Sequence, residues 1–280
     1  MVTNLFGLSQ VEVISLAQDL HYQLRDPQSG GAVASVAPVA VGTVPEEKKE
    51  KGLRRFLRGA KPSGPLPGEG VHIPRVTFRV AAQETIFFLD RPDKLPGHGF
   101  MPHYAVVDAG GGVIGYTSND HRRALDPPSG PVDDEGMTLI SGRGALLDRD
   151  HQVVCETVVR AAMNPGATGE PGVRFVGRDG APLARMRGHD STRVEFAPQA
   201  PQLVRALVTA LMIAGRVDER LQVSILTSGY SPPAPVGQAG EPYPGYAQVH
   251  SSYMRYQEEF IEWYKAEQNR RGRIASAGAS

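Results

Sequence analysis

Residues 203–215, LVRALVTALMIAG, limit most severely what this chain can fold into. Leu203, Val204, Ala206, Leu207, Val208, Ala210, Leu211, Met212, Ile213 and Ala214 are apolar, interrupted only by Arg205 and Thr209. On a helix of 3.6 residues per turn they cover almost the whole circumference, so no face is left for water. A helix apolar all round belongs in a membrane or deep in a protein core. This run extends about 20 Å, whereas a bilayer core needs about 30 Å. Pro198 and Pro201 precede it, and Arg216, Asp218, Glu219 and Arg220 follow. The expectation is a buried central helix over residues 203–215, with the preceding chain wrapped around it.

The rest of the composition narrows the class. Among 280 residues, 30 Lys plus Arg balance 30 Asp plus Glu. Zero net charge argues against a dedicated nucleic-acid binder, which carries a basic excess. A single cysteine, Cys155, excludes an internal disulfide framework and fits a reducing compartment. The N-terminus lacks a positive region followed by an apolar one, so no signal peptide is read. The expected setting is cytoplasmic, with peripheral membrane association as a further expectation.

Taken in order, residues 9–25 read as a surface helix. Ser9 and Glu12 are spaced as a capping box. Val13, Leu16, Ala17, Leu20 and Leu24 then form an apolar stripe, which must dock on the domain or on a partner because so short a helix is marginal alone. Residues 26–70 read as a disordered linker rich in Gly, Pro and small residues. Within it, EEKKEKGLRRFLRGAK carries Lys48, Lys49, Lys51, Arg54, Arg55, Arg58 and Lys61 beside Leu53, Phe56 and Leu57. A basic amphipathic segment can lie on an anionic lipid surface, at about 1 kcal/mol per cation near the lipid. The alternative is a solvated charge run, since Gly52 and Gly59 weaken any helix.

From residue 71 the texture becomes β. VHIPRVTFRV and ETIFFLDR are rich in β-branched and aromatic residues bounded by turn signals. Three later segments repeat one plan: AVVDAGGGVIGY (105–116), ALLDRDHQVVCE (145–156) and RFVGRDGAPLAR (174–185). Each is a short strand, an Asp- or Gly-bearing turn, and a second strand. Asp108, Asp148 and Asp179 are read as turn residues, because Asp hydrogen-bonds its own backbone and Gly reaches positive φ freely. Serial hairpins predict an antiparallel meander or barrel. His72, His98, His103, His121, His151 and His189 show no metal-ligand spacing with Cys or paired carboxylates, though His98 and His103 flank one turn-rich stretch. Residues 192–196 read as a strand and LQVSILT (221–227) as a closing one. Residues 229–247 form a proline-rich spacer. Residues 248–280 read as an aromatic helix (252–270) and a tail, with Tyr253, Tyr256, Phe260, Trp263 and Tyr264 on one side of the helix. That face packs on the barrel or docks a protein partner.

The order of these pieces resembles the tubby C-terminal-like superfamily, which includes LURP-one-related proteins and phospholipid scramblases. The likeness rests on YAVVDAGGGVIGY, GALLDRDHQVV, VRFVGRDGAPLARM and PQLVRALVTALMIAG, across residues 71–227. It implies a closed antiparallel β-barrel (71–228) around a central hydrophobic helix, and a module that binds or acts on anionic membrane lipids. In the family that helix lies near the chain end, whereas more than sixty residues follow it here. The cysteine-rich palmitoylation stretch of scramblases is absent, and no family binding residue maps onto this chain.

No nucleophile elbow, phosphate loop, zinc helix or dinucleotide fingerprint occurs. Cys155 sits in a predicted strand without a helix N-terminus or basic neighbour to activate it. The residues therefore point to binding rather than catalysis, with no cofactor. Two partners are expected: an anionic membrane surface reached through the basic segment, or a protein docked by the terminal helices of a soluble scaffold.

Overall fold

A computed structural model describes residues 5–17, 20–39, 75–91, 104–118, 131–187, 192–228, 242–249 and 266. Twelve strands form one closed antiparallel barrel in which each strand pairs with its neighbours in sequence. They are β1 (Gln10–Ser15), β2 (Tyr22–Arg25), β3 (Ala32–Pro38), β4 (Val76–Ala81), β5 (Thr85–Arg91), β6 (Tyr104–Asp108), β7 (Val113–Ser118), β8 (Thr138–Asp148), β9 (Val153–Ala161), β10 (Gly172–Gly177), β11 (Pro182–Arg187) and β12 (Arg193–Phe196). A 3-10 turn, Leu5–Gly7, precedes β1, and α1 spans Gln202–Ser228. β1 closes the ring by pairing with β12, Gln10 opposite Glu195 and Val11 opposite Val194. Closure removes the free sheet edges that would otherwise recruit other chains.

The repeated hairpins form as the sequence predicts. They are β6–β7, β8–β9 and β10–β11. Their turns are organised by the three aspartates. Asp108 Oδ1 accepts the N–H groups of Gly110 and Gly112, both at 2.8 Å. Asp148 Oδ1 accepts those of Asp150 at 2.9 Å and Gln152 at 2.8 Å. Asp179 Oδ1 accepts that of Ala181 at 3.0 Å. Each side chain replaces a backbone acceptor inside a tight reversal, the role expected of Asp there.

Four expectations are corrected. Residues 9–25 are not a helix but the β1–β2 hairpin. Val11 and Val13 alternate with Gln10 and Glu12, and the two valines are buried. Period two won over the weaker helical stripe because both strands are needed to close the ring, and Leu16 of that stripe stays 44% exposed. The barrel accordingly starts at Gln10 rather than at residue 71. Second, the expected linker contains β3, whose Val36 and Ala34 face the core while its Pro38 sits at the strand end. Third, α1 is longer than residues 203–215, and it absorbs LQVSILT, which forms no strand. Once the buried turns are nucleated, extension costs little. Gly215, exposed and without close neighbours, is carried along at about 1 kcal/mol. Fourth, the C-terminal end of the expected spacer (242–247), together with the first two residues of the expected C-terminal segment (248–249), is folded against the barrel. The basic segment 46–61 and the aromatic residues 253–264 lie outside the described residues.

α1 packs against β1, β6, β7, β8 and β12. Val204, Leu207, Val208, Ala210, Ile213 and Val217 are fully buried and share one cluster with Val11, Leu24, Phe78, Leu89, Val106 and Phe175 of the strands. Arg205 is buried too. Its guanidinium donates to the carbonyls of Ala200 and Ala197, both at 3.0 Å, and of Leu8 at 2.5 Å. This fork pins the helix start to the loop after β12 and to the segment before β1.

Candidate functional site on the outer face

Most strands bury one face only. In β11 the pattern is Leu183, Ala184 and Met186 in, Arg185 and Arg187 out. β5 and β6 break this rule. Phe87, Phe88, Leu89, Asp90 and Arg91 are all buried, as are Tyr104 through Val107. Strands buried on both faces need a cover on each. Inside, the cover is the main core. Outside, it is the segment 242–249.

That outer cluster joins Phe88, Ala105, Val107, Tyr116 and Leu147 to Tyr243 and Val249. The Tyr243 ring stacks on Phe88 at 5.3 Å and meets Tyr246 edge-on at 5.5 Å. A turn over 243–246, with Tyr246 N–H donating to Tyr243 O at 3.3 Å and Gly245 at φ +82°, leads into a helical turn in which Val249 N–H donates to Gly245 O at 3.1 Å. The segment's approach to the barrel is close at one point. A Cβ on Gly111, in the β6–β7 turn, would stand 1.9 Å from the Pro244 carbonyl oxygen, and Gly111 has φ +90°. Only glycine satisfies both conditions.

At the centre lies a buried charge pair. Arg75, just before β4, donates through Nε to Asp90 Oδ1 at 3.0 Å and through Nη2 to Oδ2. Tyr243 OH donates to the same Oδ2, and Thr77 Oγ1 lies 3.4 Å from Oδ1. Arg75 Nη2 reaches the Tyr246 carbonyl at 3.1 Å, and its guanidinium carbon sits 3.4 Å from the Tyr246 ring centroid. Asp90 is fully buried. Removing two charges from water is costly unless every polar atom finds a partner, and here Thr77 and residues 242–249 add partners to those the two charges give each other. Burial first, and then the Asp90 carboxylate, push the Tyr243 phenol well above its ordinary range. It remains a neutral donor at physiological pH. Burial works against the Arg75 guanidinium, but Asp90 more than offsets this and holds it charged. The arrangement recognises a phenol, a backbone carbonyl and a second aromatic ring through one fixed Arg–Asp pair.

A second polar system covers the outside of β8 to β12. Arg160 donates to Asp133 at 2.7 Å and to Glu135 at 2.5 Å. Glu195 receives Arg185 and lies 3.5 Å from Arg187. Charges of both signs alternate there, with the Arg160–Asp133 pair largely covered and Glu135, Arg185 and Arg187 about half exposed.

The expected site residues fall differently. Lys48, Lys49, Lys51, Arg54, Arg55, Arg58 and Lys61, with Tyr253, Tyr256, Phe260, Trp263 and Tyr264, are outside the described residues, as are His98 and His103. His151 stacks on Tyr116 at 4.3 Å in the β8–β9 turn. Cys155 is fully buried in β9, and burial pushes its thiol up to about 12. Among the described residues no group of His, Cys, Asp or Glu is placed to hold a metal ion, and no helix is long and apolar enough to cross a membrane.

Sequence reasoning missed Arg75, Asp90, Tyr243 and Tyr246. Two signals pointed to them: an aspartate ending the otherwise apolar run IFFLD, and two tyrosines in EPYPGY, a spacer that had no need of aromatic rings. Comparison with protein-family models, curated proteins and solved structures finds no match for this chain.

Proposed function

We propose that this chain is a non-enzymatic binding module of the tubby-like and scramblase-like kind, acting at anionic lipid surfaces. The observation that carries this reading is a closed twelve-strand antiparallel barrel followed at once by an apolar, buried helix, the pairing that the resemblance implies. In this reading α1 threads the barrel and fills an interior too wide for strand side chains alone. Two tyrosines from well-separated strands support it. Tyr22 of β2 donates to the Arg216 carbonyl at 3.3 Å, and Tyr104 of β6 to the Ala214 carbonyl at 3.4 Å. Gly115 of β7 adds a third contact, since a Cβ there would meet the Leu207 side chain at 3.2 Å.

With its core filled by its own helix, the barrel presents its outer wall and its arms to partners. The basic segment, Lys48 to Lys61, supplies the lipid contact by electrostatic attraction. The test is co-sedimentation of the full chain with vesicles. Binding to phosphatidylserine-containing vesicles, none to phosphatidylcholine alone, and loss of binding in an Arg54→Glu, Arg55→Glu, Arg58→Glu variant are expected. Equal binding to both vesicles, or to neither, overturns the reading. The second reading, a soluble scaffold for protein partners, is favoured by the outer face of the barrel, where Arg75 before β4 and Asp90 of β5 already hold a peptide segment through specific polar contacts.

A further inference from the structure

We infer that the outer wall of β10 to β12 is a phosphate-binding site, where Arg174, Arg185, Arg187 and Arg193 receive a phosphomonoester group. The alternation of charge breaks down on these three strands. Register sets Arg174 of β10 directly opposite Arg185 of β11. Continuing the register of Met186 with Val194 sets Arg187 of β11 level with Arg193 of β12. Facing side chains on paired strands have Cβ atoms about 5 Å apart, and like charges so placed repel. Breaches of a local rule are expected where a fold serves function.

Counter-charges on the strands are few. One Glu195 carboxylate oxygen receives Arg185, and the other lies 3.5 Å from Arg187 Nε. Burial works against the Glu195 carboxylate, but Arg185, then Arg187 and Arg193, more than offset it and hold its pKa below the usual range. Three of the four guanidinium groups therefore act on one point. Arg193 donates to the neutral amide of Gln10, although Glu12 is the residue directly opposite on β1. The nearby loop acids are Glu170, 3.7 Å from Arg187, and Asp133, 4.0 Å from Arg174 but held by Arg160 at 2.7 Å. Arg174, Arg185 and Arg187 are each about half exposed, so part of each fork faces water. A guanidinium offers five N–H donors in a rigid fork that fits phosphate oxygens in pairs. Glu195, a single carboxylate, occupies two of the forks and orients them. A phosphomonoester brings nearly two negative charges and three acceptor oxygens, which relieves the Arg–Arg contacts that Glu195 leaves. The group comes from a soluble phosphate compound or from a lipid headgroup, and the site is separate from the basic segment 46–61.

The test is a titration of inorganic phosphate into the full-length, isotope-labelled chain, with sodium chloride at matched ionic strength as the reference. Saturable shifts at the amides and Nε–H groups of Arg174, Arg185 and Arg187 are expected with phosphate and not with chloride. Arg174→Gln should bind phosphate at least about tenfold more weakly, through loss of a charged donor. Because it removes a like-charge contact, its thermal midpoint without phosphate should be unchanged or higher. Arg187→Gln repeats the affinity measurement should Arg174→Gln fail to fold. No saturable shift, or equal affinity in the wild type and the folded variant, overturns the inference. Vesicles of phosphatidylcholine with phosphatidic acid then decide the source. Binding weakened in Arg174→Gln assigns the site to a lipid headgroup, and no difference between the two chains assigns it to a soluble phosphate compound. The Arg54→Glu, Arg55→Glu, Arg58→Glu variant keeps this wall and should titrate with phosphate like the wild type, so the lipid reading and this site fail separately.

Discussion

The hydroxyl of Tyr243 donates to the carboxylate of Asp90, joining the chain after α1 to β5 across 153 positions of sequence. The bond closes the outer cluster as surely as the β1–β12 pairing closes the ring. A carboxylate with no exposure must be fully partnered, and Arg75, Thr77 and Tyr243 share that task.

Tyr243→Phe keeps the ring stacked on Phe88 and removes only the donor. A hydrogen bond to a charged group contributes about 1.5–3 kcal/mol, so a loss near 2 kcal/mol is expected in urea unfolding followed by circular dichroism. Faster hydrogen exchange at the Val249 amide should accompany it. A change under about 0.5 kcal/mol means that the carboxylate is satisfied without the phenol.

Gly111→Ala attacks the same contact from the other side. The new methyl meets the Pro244 carbonyl, and the residue must also hold φ +90°. Strain of this kind costs about 1–3 kcal/mol. The β6–β7 turn keeps its Asp108 bonds, so the segment should be displaced rather than the barrel unfolded. Limited proteolysis is expected to cut residues 242–249 sooner in the variant, while protection of β6 amides stays unchanged.

Arg205 offers a test at the opposite end of α1. Three carbonyls converge on one planar fork, a geometry that a lysine ammonium cannot copy. Arg205→Met leaves these acceptors facing apolar surroundings and should cost about 3 kcal/mol in thermal unfolding. Arg205→Lys should recover less than half of that. Full rescue by lysine would mean that charge, rather than the fork, anchors the helix start.

What could be read from the sequence was local. Asp108, Asp148 and Asp179 announce their turns because an Asp turn is settled within four or five residues. Residues 9–25 misled because Val13 and Leu24 fit both a helical stripe and a strand alternation. The deciding interaction, Val11 opposite Val194, lies far along the chain. LQVSILT carries the β-branched residues of a strand, yet it extends a helix whose preceding turns are fixed by burial. The outer site was the least legible part. Asp90 ends an apolar run and Tyr243 lies in a proline-rich stretch, but neither signal names the other residue as its partner, and their chemistry exists only where the fold brings them together.

Alkaline pH should weaken the fold through two groups. The Cys155 thiol, ordinarily near 9, is pushed up to about 12 by burial, with the backbone N–H of Val176 acting in the opposite direction. The Tyr243 phenol is raised above 10. Both are neutral when protonated, and both hold their proton more tightly folded than unfolded. Their contribution is therefore complete below about pH 9 and shrinks as the unfolded chain, but not the folded one, loses protons. Stability should fall steadily from pH 9 towards 12. Tyr243→Phe and Cys155→Ala should each flatten part of that slope. The same burial makes the thiol inert at pH 8, since the thiolate is the reactive form. Labelling of Cys155 by a chromogenic disulfide should wait for unfolding, with its denaturant midpoint matching the loss of β-sheet signal. Rapid labelling of the native chain would place Cys155 outside the core.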